Sequence, residues 1–534
     1  MSAETETSAA SPRASAAAST PGASAAPLSR RRAGVLLHPT SLAGPPGIGD
    51  LGPAAHHFLD RLRASEQRLW QVLPLGPTGY GDSPYQSPSA FAGNPLLVSP
   101  ERVVEDGLVD AEAVRRIPAA AAGRVDFGAV IPAKRALLAA AHDALRAGRG
   151  TPDVRTGFDE FRERAKGWLD DYALFAAIHD ERNESWTAWP EELRDREPAA
   201  LARERARLGD EIQRIAFAQC LFFRQWEALR RRAAELDIAL FGDLPIFAAH
   251  DSVDVWTNRH LFDLDAQGRP LHLSGAPPDQ FTDDGQLWGN PLYRWDVLRE
   301  RGFDWWIERM RATLRLFDLI RVDHFRGLAA NWAVPAGETT AKNGKWEPVP
   351  GRELFAALAA AFGTLPVVAE DLGDITPDVV AMRKDLGFPG MKVLLFGFSG
   401  DPRTNEYAPF AHERNFVVYT GTHDNETVQG WFREGIWALE RPREEAEDEQ
   451  RRVLAITGGD ETTVHWDFVR LAMNSPAEIA IVPVQDLLGL GNEARMNVPG
   501  RESGNWSWRM RDWDWTDDLG VRLAELTRAT GRAR

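Results

Sequence analysis

The chain has 534 residues, a formal net charge of −16 and 43% hydrophobic residues. That length can bury a large core with no disulfide or metal staple, and at about 150 residues per domain it allows several domains or one elaborated barrel. The acidic balance argues against nucleic acid and anionic membranes as partners, and no apolar run approaches the roughly 20 residues of a membrane span.

Residues 1–32 are rich in Ala, Ser, Thr and Pro and nearly devoid of large apolar residues. By composition they form a disordered tail without the apolar stretch of a secretory signal. From Gly34 onward, eight short apolar runs recur: "GVLL" (34–37), "LWQVLPL" (69–75), "IALFGDL" (238–244), "DLIRVD" (318–323), "PVVAED" (366–371), "MKVLLFGF" (391–398), "FVVYT" (416–420) and "IAIVPVQD" (479–486). Such runs read as strands buried on both faces. Amphipathic helical patterns precede several of them, as in "FDWWIERMRATLRLF" (303–317) and "RELFAALAAAFG" (352–363). Strands alternating with helices imply parallel βαβ units, and eight of them imply an α/β fold, a closed (β/α)8 TIM barrel.

About 160 residues separate the second and third runs, and several stretches there have helical patterns. The barrel, residues 33–534, is therefore expected to carry a largely helical insertion at about 100–236. Within that insertion lies the only cysteine, Cys220 in "AFAQCLFF", a packing residue by its apolar neighbours. A long Gly/Pro-rich loop is expected at about 275–291, between the third and fourth runs. About 45 residues follow the eighth run, too few for a C-terminal β-sandwich domain. The 19 tryptophans are mostly expected in the core, although an excess also suits a groove that stacks on the flat faces of sugars.

In such a barrel the active site lies where strands end and βα-loops begin. Asp323 closes the fourth run, Glu370 and Asp371 the fifth, and "YTGTHDNET" follows the seventh with His423, Asp424 and Glu426; the third adds Asp243. Carboxylates gathered on one face repel one another, and neighbouring cations split their pKa values. Two chemistries use such a set: glycoside cleavage with a carboxylate nucleophile and a carboxylic acid, and metal-assisted hydrolysis. Spacing alone does not separate them.

Longer motifs do. "GVLLHPTSLAGPPGIGDLG", "YGDSPYQSPSAFAGNPLL", "GDLPIFAAHDSVDVW", "GAPPDQFTDDGQLWGNPLY", "IRVDHFRG", "VAEDLG", "GTHDNET" and "RMNVPGRESGNWSWRM" span residues 34–510. Through them the chain resembles the amylomaltase-type (disproportionating) 4-α-glucanotransferases, glycoside hydrolase family 77 of the α-amylase superfamily. The resemblance implies that Asp323 is the nucleophile, Glu370 the general acid/base and Asp424 the carboxylate that stabilises the transition state. It implies substrate contacts for Asp82, Ser83, Tyr85, Trp288, Arg321, Asp371, His423 and Asn497, with Tyr85 stacked under the sugar next to the scissile bond. The loop at 275–291 would then cover the groove, favouring a sugar hydroxyl over water as the second nucleophile. Gln280 departs from the pattern, standing where several relatives are expected to carry an aromatic residue.

The reaction implied is cleavage of an α-1,4 bond in a maltooligosaccharide or starch-like glucan and transfer of the glucanosyl unit to the 4-hydroxyl of another glucan or glucose. Retention requires the carboxyls of Asp323 and Glu370 to lie about 5–5.5 Å apart. No cofactor and no metal are implied. The expected setting is the cytoplasm, as a monomer or weak homodimer. The rival readings are a hydrolase of the same superfamily, a divalent-metal hydrolase and an inactive glucan-binding scaffold.

Overall fold

The computed structural model describes residues 30–44, 47–119, 123–278, 283–438, 442–501 and 503–533. Twelve strands form among them: β1 Arg32–Leu36, β2 Leu69–Gln71, β3 Ala239–Leu244, β4 His272–Ala276, β5 Gln286–Pro291, β6 Leu319–Val322, β7 Ala330–Pro335, β8 Lys345–Pro348, β9 Val367–Ala369, β10 Gly390–Val393, β11 Phe416–Tyr419 and β12 Ile479–Pro483.

Eight of these form one parallel sheet in the order β10-β11-β12-β1-β2-β3-β6-β9. They coincide with the eight apolar runs. Read from β1, the order is the chain order, as consecutive right-handed βαβ units require. The ends of the sheet meet between β9 and β10. There the Ala369 N–H donates to the Pro389 carbonyl at 2.9 Å, and the Met391 N–H donates to Asp371 Oδ1 at 2.7 Å. The seam closes a (β/α)8 barrel. Only the first half of "MKVLLFGF" is strand, because Leu394–Gly397 turns into a 3-10 helix. Beyond β12 the described residues hold no further strand and no sandwich.

Helices fill the interval between β2 and β3, among them Phe127–Arg146, Pro152–Ala165, Leu169–Arg182 and the long Gly209–Glu235, which leads into β3. A buried ion pair ties this insertion to the barrel. Lys134 Nζ lies 3.2 Å from Asp50 Oδ2 and donates to the Val98 carbonyl at 2.7 Å. Cys220 is buried there. No helix among the described residues is long and apolar enough to cross a membrane.

A second sheet was not foreseen. It is antiparallel, in the order β5-β4-β7-β8. The stretch 275–291 is thus not simply a loop: its first residues end β4 and its last form β5, paired through Gly275↔Leu287 and Ala276↔Gln286. Its strands are short, interrupted by Gly and Pro, and only partly buried, so they lack the continuous apolar signature of the barrel strands. Gln280 lies outside the described residues.

The tail expected at 1–32 falls largely outside them too, but ordered chain begins within it. Arg32 opens β1, and Arg31 donates to the Ser475 carbonyl at 3.0 Å. Arg31 thus binds backbone carbonyls with its side chain, and the Arg32 N–H donates to the Glu478 carbonyl at 2.8 Å.

Candidate active site

Asp243 on β3 and Arg321 on β6 are register partners in the parallel sheet. Neighbouring residues at one level of a sheet project to the same face. The Arg321 guanidinium accordingly bridges two carboxylates, donating through Nη1 to Asp243 Oδ2 and through Nη2 to Asp323 Oδ1 at 2.6 Å. Asp323 follows the last residue of β6, and its N–H donates to the Leu244 carbonyl at 3.1 Å. Tyr85, from the loop after β2, donates its hydroxyl to Asp243 Oδ2 at 2.9 Å. Burial disfavours the charge on Arg321, but Asp243 and Asp323 together raise its pKa above the usual arginine value.

Glu370 follows β9. Its Oε2 accepts the His324 N–H at 2.7 Å and its Oε1 accepts the Leu372 N–H at 2.9 Å. Burial pushes this carboxyl up to about 7, with Arg321 opposing and the charge of Asp323 adding. The two backbone donors favour the anion, yet desolvation outweighs them. Asp424 shows the opposite balance. Burial alone would push it up, but the charge and hydrogen bond of His423, with the Asn497 amide, hold it well below the usual carboxylate range. His423 Nε2 lies 3.2 Å from Asp424 Oδ2, and Asn497 Nδ2 donates to Oδ1 at 2.7 Å. The site thus holds one carboxyl poised to carry a proton near neutral pH and another kept ionised.

The structure brings Asp323, Glu370, Asp424, Arg321, Tyr85 and His423 into one linked array, with the Tyr85 and His423 rings stacked at 5.2 Å. Trp288 on β5 lies edge-on to His324 at 4.7 Å. Strand alternation does not extend to His324: β6 ends at Val322, and His324 is left-handed at φ 48°. Arg326 braces the following turn, donating to Thr376 Oγ1 at 2.9 Å and lying 3.7 Å over the Trp346 ring. Asp82 has φ 59°, in the turn before Tyr85, and the Ser83 hydroxyl accepts the Tyr85 N–H at 3.2 Å.

Two residues stand differently from their expected sugar contacts. Asp371 is turned into the barrel wall: besides the seam bond to Met391, it pairs with Arg383 Nε at 2.9 Å. Glu370 and Asp371 thus go separate ways just beyond β9, the first bonded to the His324 and Leu372 N–H groups and the second to the seam and Arg383. A Cβ on Gly390 would come within 2.4 Å of this carboxylate, so the close packing of the seam needs glycine. Asn497 donates one amide N–H to Asp424 Oδ1. Sequence reasoning gave no role to Arg495, whose Nη2 donates to the Asp424 carbonyl at 2.8 Å, or to Trp506, which packs on both stacked rings. A positive-φ tryptophan carries no signal in sequence.

Residues 37–515 match glycoside hydrolase family 77, described as 4-alpha-glucanotransferase. The chain belongs to this family. A 4-alpha-glucanotransferase of Thermus thermophilus is 48% identical, over 94% of this chain and 99% of its own length. A chloroplastic/amyloplastic 4-alpha-glucanotransferase of Solanum tuberosum is 43% identical, over 94% of this chain and 86% of its own. The solved structure of an amylomaltase from Streptococcus agalactiae in complex with acarbose superposes with a TM-score of 0.89 at 35% identity, covering 94% of this chain and all of that one. The (β/α)8 barrel and the transferase class of this 4-alpha-glucanotransferase family member follow from these matches.

Proposed function

We propose that this member of the 4-alpha-glucanotransferase family transfers α-1,4-glucanosyl units by a retaining double displacement, with Asp323 as nucleophile and Glu370 as acid/base. The carrying observation is the split within one array: Glu370 buried and raised to about 7, 2.6 Å ion pairing of Asp323 to Arg321, and Asp424 held as an anion.

In the first step Glu370 gives its proton to the glycosidic oxygen as an Asp323 oxygen attacks C1. The C1–O4 bond breaks, the reducing-side fragment leaves with a 4-hydroxyl, and a glucosyl ester forms on Asp323. In the second step the Glu370 carboxylate takes the proton from an acceptor 4-hydroxyl, whose oxygen displaces Asp323 from C1. Arg321 orients Asp323 and accommodates its change of charge. Asp424 holds sugar hydroxyls in the flattened, oxocarbenium-like state. The stacked Tyr85 and His423 contact the sugar next to the scissile bond, and Trp288 covers the groove. Asp82 and Ser83 shape the turn that presents Tyr85, Asn497 acts through Asp424, and Asp371 through the seam.

Residues 33–534 are read as one catalytic unit, acting in the cytoplasm on maltooligosaccharides or starch-like glucans as a monomer or weak homodimer. The experiment is a time course with maltotriose. Disproportionation gives glucose together with oligomers longer than maltotriose, whereas the hydrolase rival gives glucose and maltose alone. Full activity in excess chelator removes the metal hydrolase.

A further inference from the structure

The Tyr85 and His423 rings lie nearly parallel, at 11°, and a third ring rests against both. Trp506 has its centroid 5.8 Å from Tyr85 and 6.0 Å from His423, and it is buried. Its backbone is left-handed, at φ 61°. Bulky side chains rarely adopt this conformation, and it persists only where surrounding contacts over-determine it, most often at functional sites.

Those contacts are visible. The Trp506 N–H donates to the Met496 carbonyl at 2.7 Å. Asn505 next to it accepts the Val498 N–H at 3.1 Å and donates to the Arg501 carbonyl at 2.8 Å, tying residues 496–501 to 505–506. The other arm of the same loop reaches His423 and Asp424. The Asn497 N–H donates to the His423 carbonyl at 3.0 Å, and its side chain donates to Asp424 Oδ1 at 2.7 Å. One loop therefore holds His423 and Asp424 through hydrogen bonds on one arm and packs a tilted indole against Tyr85 and His423 on the other. A right-handed backbone at position 506 would send the indole elsewhere and leave the Tyr85 ring held only by its hydroxyl bond to Asp243 and its stacking on His423.

We infer that Trp506 is a positioning residue for the donor glucan: its left-handed backbone sets the indole against Tyr85 and His423 and fixes the plane on which the sugar stacks. This rests on the proposal that Tyr85 and His423 contact that sugar.

The test is a double-mutant cycle on the full-length enzyme with maltotriose. Trp506→Leu is expected to lower kcat/KM about tenfold, chiefly through KM, because a ring displaced by about 1 Å loses its alignment. Trp506→Phe, which keeps a flat face, is expected to stay within about threefold. In a Tyr85→Ala background Trp506→Leu should add less than about twofold, since the ring it positions is gone. Equal losses from Trp506→Leu in both backgrounds, or a folded Trp506→Leu enzyme with wild-type kinetics, overturn the inference while the site assignment stands. Wild-type kinetics for Tyr85→Ala overturn the site assignment and the inference with it. Should Trp506→Leu not fold, Trp506→His takes its place in the cycle with the same outcomes.

Discussion

At Glu370 two effects of opposite sign meet. Hydrogen bonds from the His324 and Leu372 N–H groups favour the carboxylate, and burial favours the acid; the result is about 7 in place of the ordinary 4.5. A general acid must be protonated in the free enzyme, so kcat/KM for maltotriose should fall above pH 7 with an apparent pKa near that value. Glu370→Gln should remove both the activity and the alkaline limb. The same shift costs stability. A group whose folded pKa is raised contributes fully below its unfolded pKa and loses that contribution as pH rises through the folded one. Glu370→Gln escapes the loss. At pH 8 it should be more stable than wild type by about 2 kcal/mol, after allowing for one weakened backbone hydrogen bond. Near pH 4, where the carboxyl is neutral in both states, only the weakened hydrogen bond should remain, leaving the variant about 1 kcal/mol less stable than wild type in denaturant melts. A variant less stable at pH 8 would mean that the buried carboxyl is not raised.

The elements differ in how plainly they stand in the sequence. The eight barrel strands are legible because each is buried on both faces, so apolar residues run on without alternation and stop where charge begins. That boundary also marks Asp323, Glu370 and Asp424. The second sheet is not legible: "HLSGA" and "KWEP" are half-exposed and gain strand geometry only from their partners. Nor could adjacent Glu370 and Asp371 be told apart before the seam between β9 and β10 was seen. Trp288 belongs to this hidden sheet, held by its Nε1 bond to Gln286 Oε1 at 3.2 Å and by Gln86 Nε2, which donates to its carbonyl at 3.3 Å. Its ring stands over His324 beside the nucleophile. Trp288→Ala should open the site to water and raise the ratio of hydrolysis to transfer by roughly threefold or more. Glucose and reducing ends followed together check this; an unchanged ratio would remove Trp288 from the lid role.

At the scale of the whole molecule, Arg532 locks the barrel where its first and last strands meet. Arg532, fully buried, donates to the carbonyls of Met473 at 2.8 Å, Ser475 at 2.8 Å, Ala477 at 2.8 Å, Glu478 at 3.1 Å and Arg32 at 3.0 Å. It thus joins the start of β1 to the approach to β12, where the first and last strands meet. Arg532→Ala leaves several buried carbonyls short of a donor and should cost about 3 kcal/mol, seen as a lower thermal midpoint with kcat unchanged at low temperature. The central claim concerns Asp323, and trapping the glycosyl-enzyme tests it most directly. A fluorinated slow α-glucosyl donor, followed by proteolysis and mass spectrometry, should place one glucosyl group on the peptide containing Asp323 in wild type and none in Asp323→Asn, which should also lose transfer by roughly 10⁴-fold or more. An adduct on another carboxylate, or transfer by Asp323→Asn at near wild-type rates, would contradict the double displacement through Asp323.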